Sequence, residues 1–138
     1  MNPNNYTSQA GLVIQNAMEI ASTNGQQAIE PGHLLQAILQ DDTQTSAFLL
    51  KKNGVTVSQI QDRLQSILST YPKVSGAQPY ASNALQQVLA KAEALKTEFG
   101  DSYVSVELLF LALIESKDAT GDLLKSLGIT STNFKKSI

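Results

Sequence analysis

The sequence predicts an all-α protein made of two tandem four-helix repeats that pack together about an approximate two-fold axis. Three observations predict it. Apolar residues recur at three- and four-residue steps over long segments free of helix breakers, glycine stops recur at matched places, and residues match one another at a step of 74 to 75. With 138 residues the chain fits one domain, taken here as residues 1–138, with repeat one at about 6–70, a linker at about 71–79 and repeat two at about 80–138.

The first helix is expected from Thr7 to about Asn24, where Ala10, Val13, Ile14, Ala17, Met18 and Ala21 share one face. Asn24-Gly25 ends it, since glycine tolerates the left-handed turn after a helix. Pro31 suits a first helical position, and Leu34, Leu35, Ile38 and Leu39 mark a short second helix to about Gln40. A third, near Ser46 to Lys52, stops at Asn53-Gly54, and a fourth runs from about Val57 to Ser69 behind Thr56 as N-cap. The stretch from Tyr71 to Pro79 clusters Pro, Gly and Ser without periodicity and reads as a linker. The pattern then replays: a long helix from about Ser82 to Phe99, a stop at Gly100, a short helix from about Val106, another to Leu127, a stop at Gly128 and a last helix from Thr130.

Matched residues carry the duplication. Ala17/Ala92, Gly25/Gly100, Leu34/Leu109 and Ala37/Ala112 align at a step of 75, and Leu49/Leu123, Leu50/Leu124, Gly54/Gly128 and Thr56/Thr130 at 74. Neither small unit can bury its apolar face fully alone, so the two are expected to pack on each other.

Composition narrows the function. There is no cysteine, so no disulfide or Cys-based zinc site holds the fold, and a cytoplasmic location is expected. The first residues lack a secretory pattern, and no apolar run approaches the length of a membrane span, so no membrane partner is expected. Net charge is −2, and the adjacent basic pairs Lys51-Lys52 and Lys135-Lys136 sit near helix ends, which argues against a nucleic-acid partner.

Catalytic chemistry finds few carriers. His33 is the one histidine, expected at the polar edge of its helix, and Asp41-Asp42 is a turn pair short of a metal site. No phosphate-cradling G-x-x-x-x-G-K-[ST] loop occurs. Asp101 and Glu107 flank the start of the sixth helix as a formal acid/base pair, with a turn residue and a helix-dipole partner as their structural reading and ligand contact preferred over catalysis. The expected protein is therefore not an enzyme, with no catalytic residue, no cofactor and no metal.

The repeats differ most in one helix. Repeat one reads GHLLQAIL where repeat two reads ELLFLALI, so His33 and Gln36 become Leu108 and Leu111. A helix apolar nearly all round is either enclosed on several sides or leaves a patch facing water. The second alternative makes Leu108 and Leu111 candidate ligand contacts; the first makes them filling for the seam between the repeats.

The stretches QQAIEPGHLLQAIL and GDSYVSVELLFLALI, with the linker YPKVSG, resemble the N-terminal domain of the Clp ATPases, the ClpB disaggregases most closely. The resemblance covers essentially the whole chain. It implies a mobile appendage of a hexameric, ATP-driven unfolding ring, binding exposed apolar segments of unfolded or aggregated client proteins. ATP and magnesium are then expected only in ATPase modules of a longer parent, and the isolated domain is expected to be a monomer. The alternative within the family is a docking domain for a folded adaptor, as in ClpA-like and ClpC-like unfoldases. Client contacts carry over by motif to Thr7, Asp101, Glu107 and Leu108, with Leu89 and Leu95 for an adjoining groove, which would place an apolar groove beside the two acids. Arginines that some ClpC-like domains use have no counterpart, since Arg63 is the only arginine.

Overall fold

The computed structural model describes residues 3–41, 45–74, 76 and 78–138. Among them lie eight α-helices: α1 (Ser8–Thr23), α2 (Pro31–Leu39), α3 (Thr45–Lys52), α4 (Val57–Thr70), α5 (Asn83–Phe99), α6 (Val106–Ile114), α7 (Ala119–Ser126) and α8 (Ser131–Ser137). Asp42, half of the acidic turn pair, and the linker residues Ser75 and Ala77 lie outside the described residues.

The helix ends repeat as the sequence implies. Thr7 and its match Ser82 cap α1 and α5, their hydroxyls accepting from the amides of Ala10 and Leu85, both at 3.0 Å. Thr56 and Thr130 do the same for α4 and α8. Gly25 and Gly100, at φ 70 and 72, supply the left-handed turn after the two long helices.

Two short parallel pairings go beyond the helical pattern. Strand β1 (Ala28–Ile29) pairs with β2 (Tyr80–Ala81), with Ile29 opposite Ala81, and Tyr6 forms a parallel bridge with Val104. A step of 75 converts one pairing into the other: Tyr6 matches Ala81, and Ile29 matches Val104. Each repeat thus offers its first residues to the other. Thr7 donates its N–H to the Val104 carbonyl and Ser82 to that of Ile29, each at 3.0 Å.

Helices α2 and α6 form the middle of the structure. α6 packs against α1, α2, α3, α5, α7 and α8, and all its residues but Glu107 are buried. Leu108 and Leu111 are 1% and 0% exposed, so the water-facing patch that their change of character suggested does not exist. They fill the seam. The reason is position: α6 has a neighbour on every side, and six other helices leave no solvent-facing flank. Leu95, at 1% exposed on α5, is core as well. Phe110 stacks on Phe134 of α8 with ring centroids 4.7 Å apart.

His33, expected at a polar edge, is wholly buried as well. Its Nδ1 accepts the backbone N–H of Glu30 at 2.9 Å, so the proton sits on Nε2, which donates to Gln26 Oε1 at 2.6 Å. Gln26 Nε2 in turn donates to the Leu68 carbonyl at 2.8 Å. This buried chain ties the end of α1 to the start of α2 and the end of α4. Burial lowers the His33 pKa from 6.5 to about 4.

Leu111→Ala should cost about 2–5 kcal/mol in denaturant unfolding, the range for truncating an enclosed leucine; a loss well under 1 kcal/mol would mean that α6 is not enclosed. The unfolded chain takes up the His33 proton first, so its contribution to stability is complete above pH 6.5 and drains away as pH falls towards 4. Urea midpoints should therefore decline over that interval by up to about 3 kcal/mol of stability, and His33→Leu, the residue of repeat two, should flatten the profile.

Candidate functional site

The two strand pairings are topologically equivalent but not chemically equivalent, and a groove opens beside one of them. On the β1–β2 side, repeat two supplies Ala81 where repeat one has Tyr6. The small side chain leaves a wholly apolar hollow of about 80 Å³ between α1 and α5, lined by Ile14, Met18, Ile29, Ala81, Leu85 and Leu89 among others. Met18 is 42% exposed at its mouth, and Leu89 and Ala81 are half-buried. That volume suits one aliphatic side chain.

On the Tyr6–Val104 side the matching place holds a large side chain. Tyr6 is buried there, and the match of Met18 is Glu93, which accepts a hydrogen bond from Asn5 Nδ2 at 2.7 Å. Burial, then the neighbouring Glu93 charge, raises the Tyr6 phenol pKa. One half of a symmetric frame thus presents an apolar hollow, and the other a buried tyrosine beside a hydrogen-bonded carboxylate.

The sequence-derived candidates divide between these two sides. Leu89 lines the groove. Thr7, half-buried, caps α1 and is tied to Val104, which sets it beside the segment that carries Asp101 and Glu107. A shallow polar cavity of about 410 Å³ lies at that place, lined by Asn4, Tyr6, Thr7, Ser8 and Tyr103. Asp101 is exposed after the Gly100 turn, its amide donating to the Lys96 carbonyl at 2.9 Å. Glu107 is half-buried in the first turn of α6, where a negative charge suits the helix dipole. The expected arrangement, an apolar groove rimmed by these two acids, is corrected: neither lines the groove, because it opens at the Ile29–Ala81 pairing and they belong to the Tyr6–Val104 one. Leu108, Leu111 and Leu95 take no part in either surface, being enclosed.

Met18 and Ala81 went unrecognised as a site. Met18 keeps the apolar period of α1 and so reads as core; the usable signal was its match to Glu93, together with that of Ala81 to Tyr6. Among the described residues no group of three or more His, Cys, Asp or Glu could hold a metal ion, and no helix is long and apolar enough to cross a membrane.

A helical repeat duplicated in tandem, with strand exchange at its seam and divergent surfaces on either side of it, defines a class of small two-repeat helical domains. The chain belongs to the Clp repeat N-terminal domain family, whose model matches residues 5–127. It is 34% identical over 138 residues to chaperone protein ClpB of Bacteroides thetaiotaomicron and 38% identical over 141 residues to that of Brucella suis, in both cases across 100% of this chain. It spans 16% of the length of either relative. The Hsp104 N-terminal domain from Candida albicans superposes with a TM-score of 0.80 at 27% identity, covering 96% of this chain and 88% of that one. A ClpV N-domain in complex with a VipB peptide shares the fold, with a TM-score of 0.78 at 23% identity, over 96% of this chain and 83% of that one.

Glu107→Ala should leave the domain folded, lowering stability by no more than about 1 kcal/mol in a thermal or urea melt, as expected for one dipole-complementing carboxylate. A larger loss would make Glu107 a structural residue.

Proposed function

We propose that this domain captures exposed apolar segments of unfolded or aggregated polypeptides and presents them to the ATP-driven threading ring of a ClpB-type disaggregase. One observation carries the reading: the apolar hollow that Ala81 leaves open between α1 and α5, with Met18 exposed at its mouth. Unfolded chains expose apolar side chains, and covering them gains about 25 cal/mol per Å². A hollow sized for one side chain selects little and holds weakly. A dissociation constant in the micromolar range or weaker follows, about −8 kcal/mol or less favourable. The peptide seated on the ClpV N-domain, a relative in fold, supports peptide capture as a use of this architecture.

Thr7, Asp101 and Glu107 would add a polar second contact, favouring clients with basic flanks in a salt-screened way. The polar cavity lined by Asn4, Thr7 and Ser8 is also what favours the second reading, docking of a folded adaptor. In either reading the domain itself is non-catalytic, works as a monomeric appendage of a hexamer in the cytoplasm, and leaves ATP and magnesium to other modules.

Ala81→Tyr tests the groove directly, since it installs the residue that closes the equivalent place. Titrating a permanently unfolded protein while following methyl signals should shift Met18 and Leu89 in the native domain. The substitution should weaken binding at least tenfold without lowering the melting temperature. Unchanged affinity in this variant would reject the groove as the capture site.

A further inference from the structure

A second cleft, of about 530 Å³, lies between α1, α2 and α4 and has a different chemistry from the apolar groove. Its walls carry the carboxamides of Asn16, Asn24, Gln36, Gln40 and Gln65, and among the described residues its single charged lining residue is Glu19. Gln65 Nε2 donates to Gln36 Oε1 at a long 3.4 Å, which orients the buried Gln36 and leaves its own Nε2 unpaired among the described residues. The side chains of Asn16, Asn24 and Gln40 likewise have no hydrogen-bond partner among the described residues.

The matching place in repeat two shows that this backbone does not require amides. There Asn16 is Lys91, Gln40 is Glu115 and Gln36 is Leu111, and Lys91 pairs with Glu115 at 3.7 Å. Repeat one therefore presents neutral carboxamides to the cleft where its copy holds an ion pair.

The lining selects a ligand class by elimination. A phosphate needs a cation, and none lines the cleft among the described residues. A metal ion needs more acids than Glu19. Among the described residues Ile20 and Leu68 are the only large apolar ones in the lining, too few for an apolar ligand, and no aromatic face is there on which a sugar ring would rest. A main-chain amide fits, because a carboxamide offers a donor and an acceptor side by side and pairs reciprocally with the peptide group. We propose that this cleft binds the main chain of an extended polypeptide segment through Asn16, Gln36, Gln40 and Gln65, irrespective of its side chains. The inference rests on the polypeptide-capture reading and gives it a second, sequence-independent foothold.

An acetylated, amidated Gly-Ser octapeptide tests it, being neutral and lacking any side chain that the apolar groove would accept. Titrated into the intact domain, it should shift the side-chain NH₂ signals of Asn16, Gln36 and Gln40, with a dissociation constant of about 1–10 mM. The double substitution Asn16→Lys with Gln40→Glu, which copies the ion pair of repeat two, should keep the melting temperature and weaken these shifts at least tenfold. A second variant, Gln36→Leu, checks the same point should the first one unfold. Ala81→Tyr should leave the octapeptide response intact while weakening the binding of an unfolded protein at least tenfold, so failure of the groove and failure of the cleft are read separately. No shift up to about 20 mM peptide, equal shifts in the double variant, or an equal response to maltohexaose would overturn the proposal.

Discussion

A nine-residue helix whose side chains are all buried except Glu107 has no solvent-compatible face, and α6 is such a helix. It must be walled on every side. Its own repeat supplies α5, α7 and α8, and the remaining walls come from α1, α2 and α3 of the other repeat. Burying each large apolar side chain is worth about 1.5–3 kcal/mol, so the middle of the domain is where its stability concentrates. α2 holds the matching central place in repeat one, with His33 and Gln36 where α6 has leucines, and its buried histidine is made tolerable by the chain running through Glu30, Gln26 and Leu68. The exchanged pairings, Tyr6 with Val104 and Ala81 with Ile29, then fix the register of one repeat on the other.

With the frame fixed twice over, single substitutions at matched positions decide what each surface presents. Tyr6 closes one side of the seam and Ala81 opens the other. Met18 keeps the opening apolar where Glu93 binds Asn5. Asn16 and Gln40 present neutral amides where Lys91 and Glu115 form an ion pair. Duplication thus provides an internal control: the same backbone with other side chains shows which features the fold needs and which it merely carries.

Much of the fold was legible in the sequence because caps, stops and the helical period are local. Thr56, Pro31, Gly25 and Gly100 act where local rules put them. The strand exchange was not legible, since pairings of two residues or one have no period to detect and join segments about 50 to 100 positions apart. The burial of Leu108, Leu111 and His33 was ambiguous for a related reason: periodicity tells which face is apolar, whereas enclosure depends on how many helices converge, a property of the tertiary arrangement. For the site, the useful signal lay in size and charge mismatches between matched residues, Tyr6 against Ala81 above all, and not in a motif.

Neither repeat stands alone, because each walls the buried central helix of the other. Native-state hydrogen exchange on the intact domain measures this most directly. The slowest amides of α2 and of α6 should open with free energies within about 1 kcal/mol of each other and equal to the global unfolding value, as one cooperative unit does. Separate opening energies for the two helices, with one repeat exchanging while the other stays protected, would mean that each repeat is stable without the other.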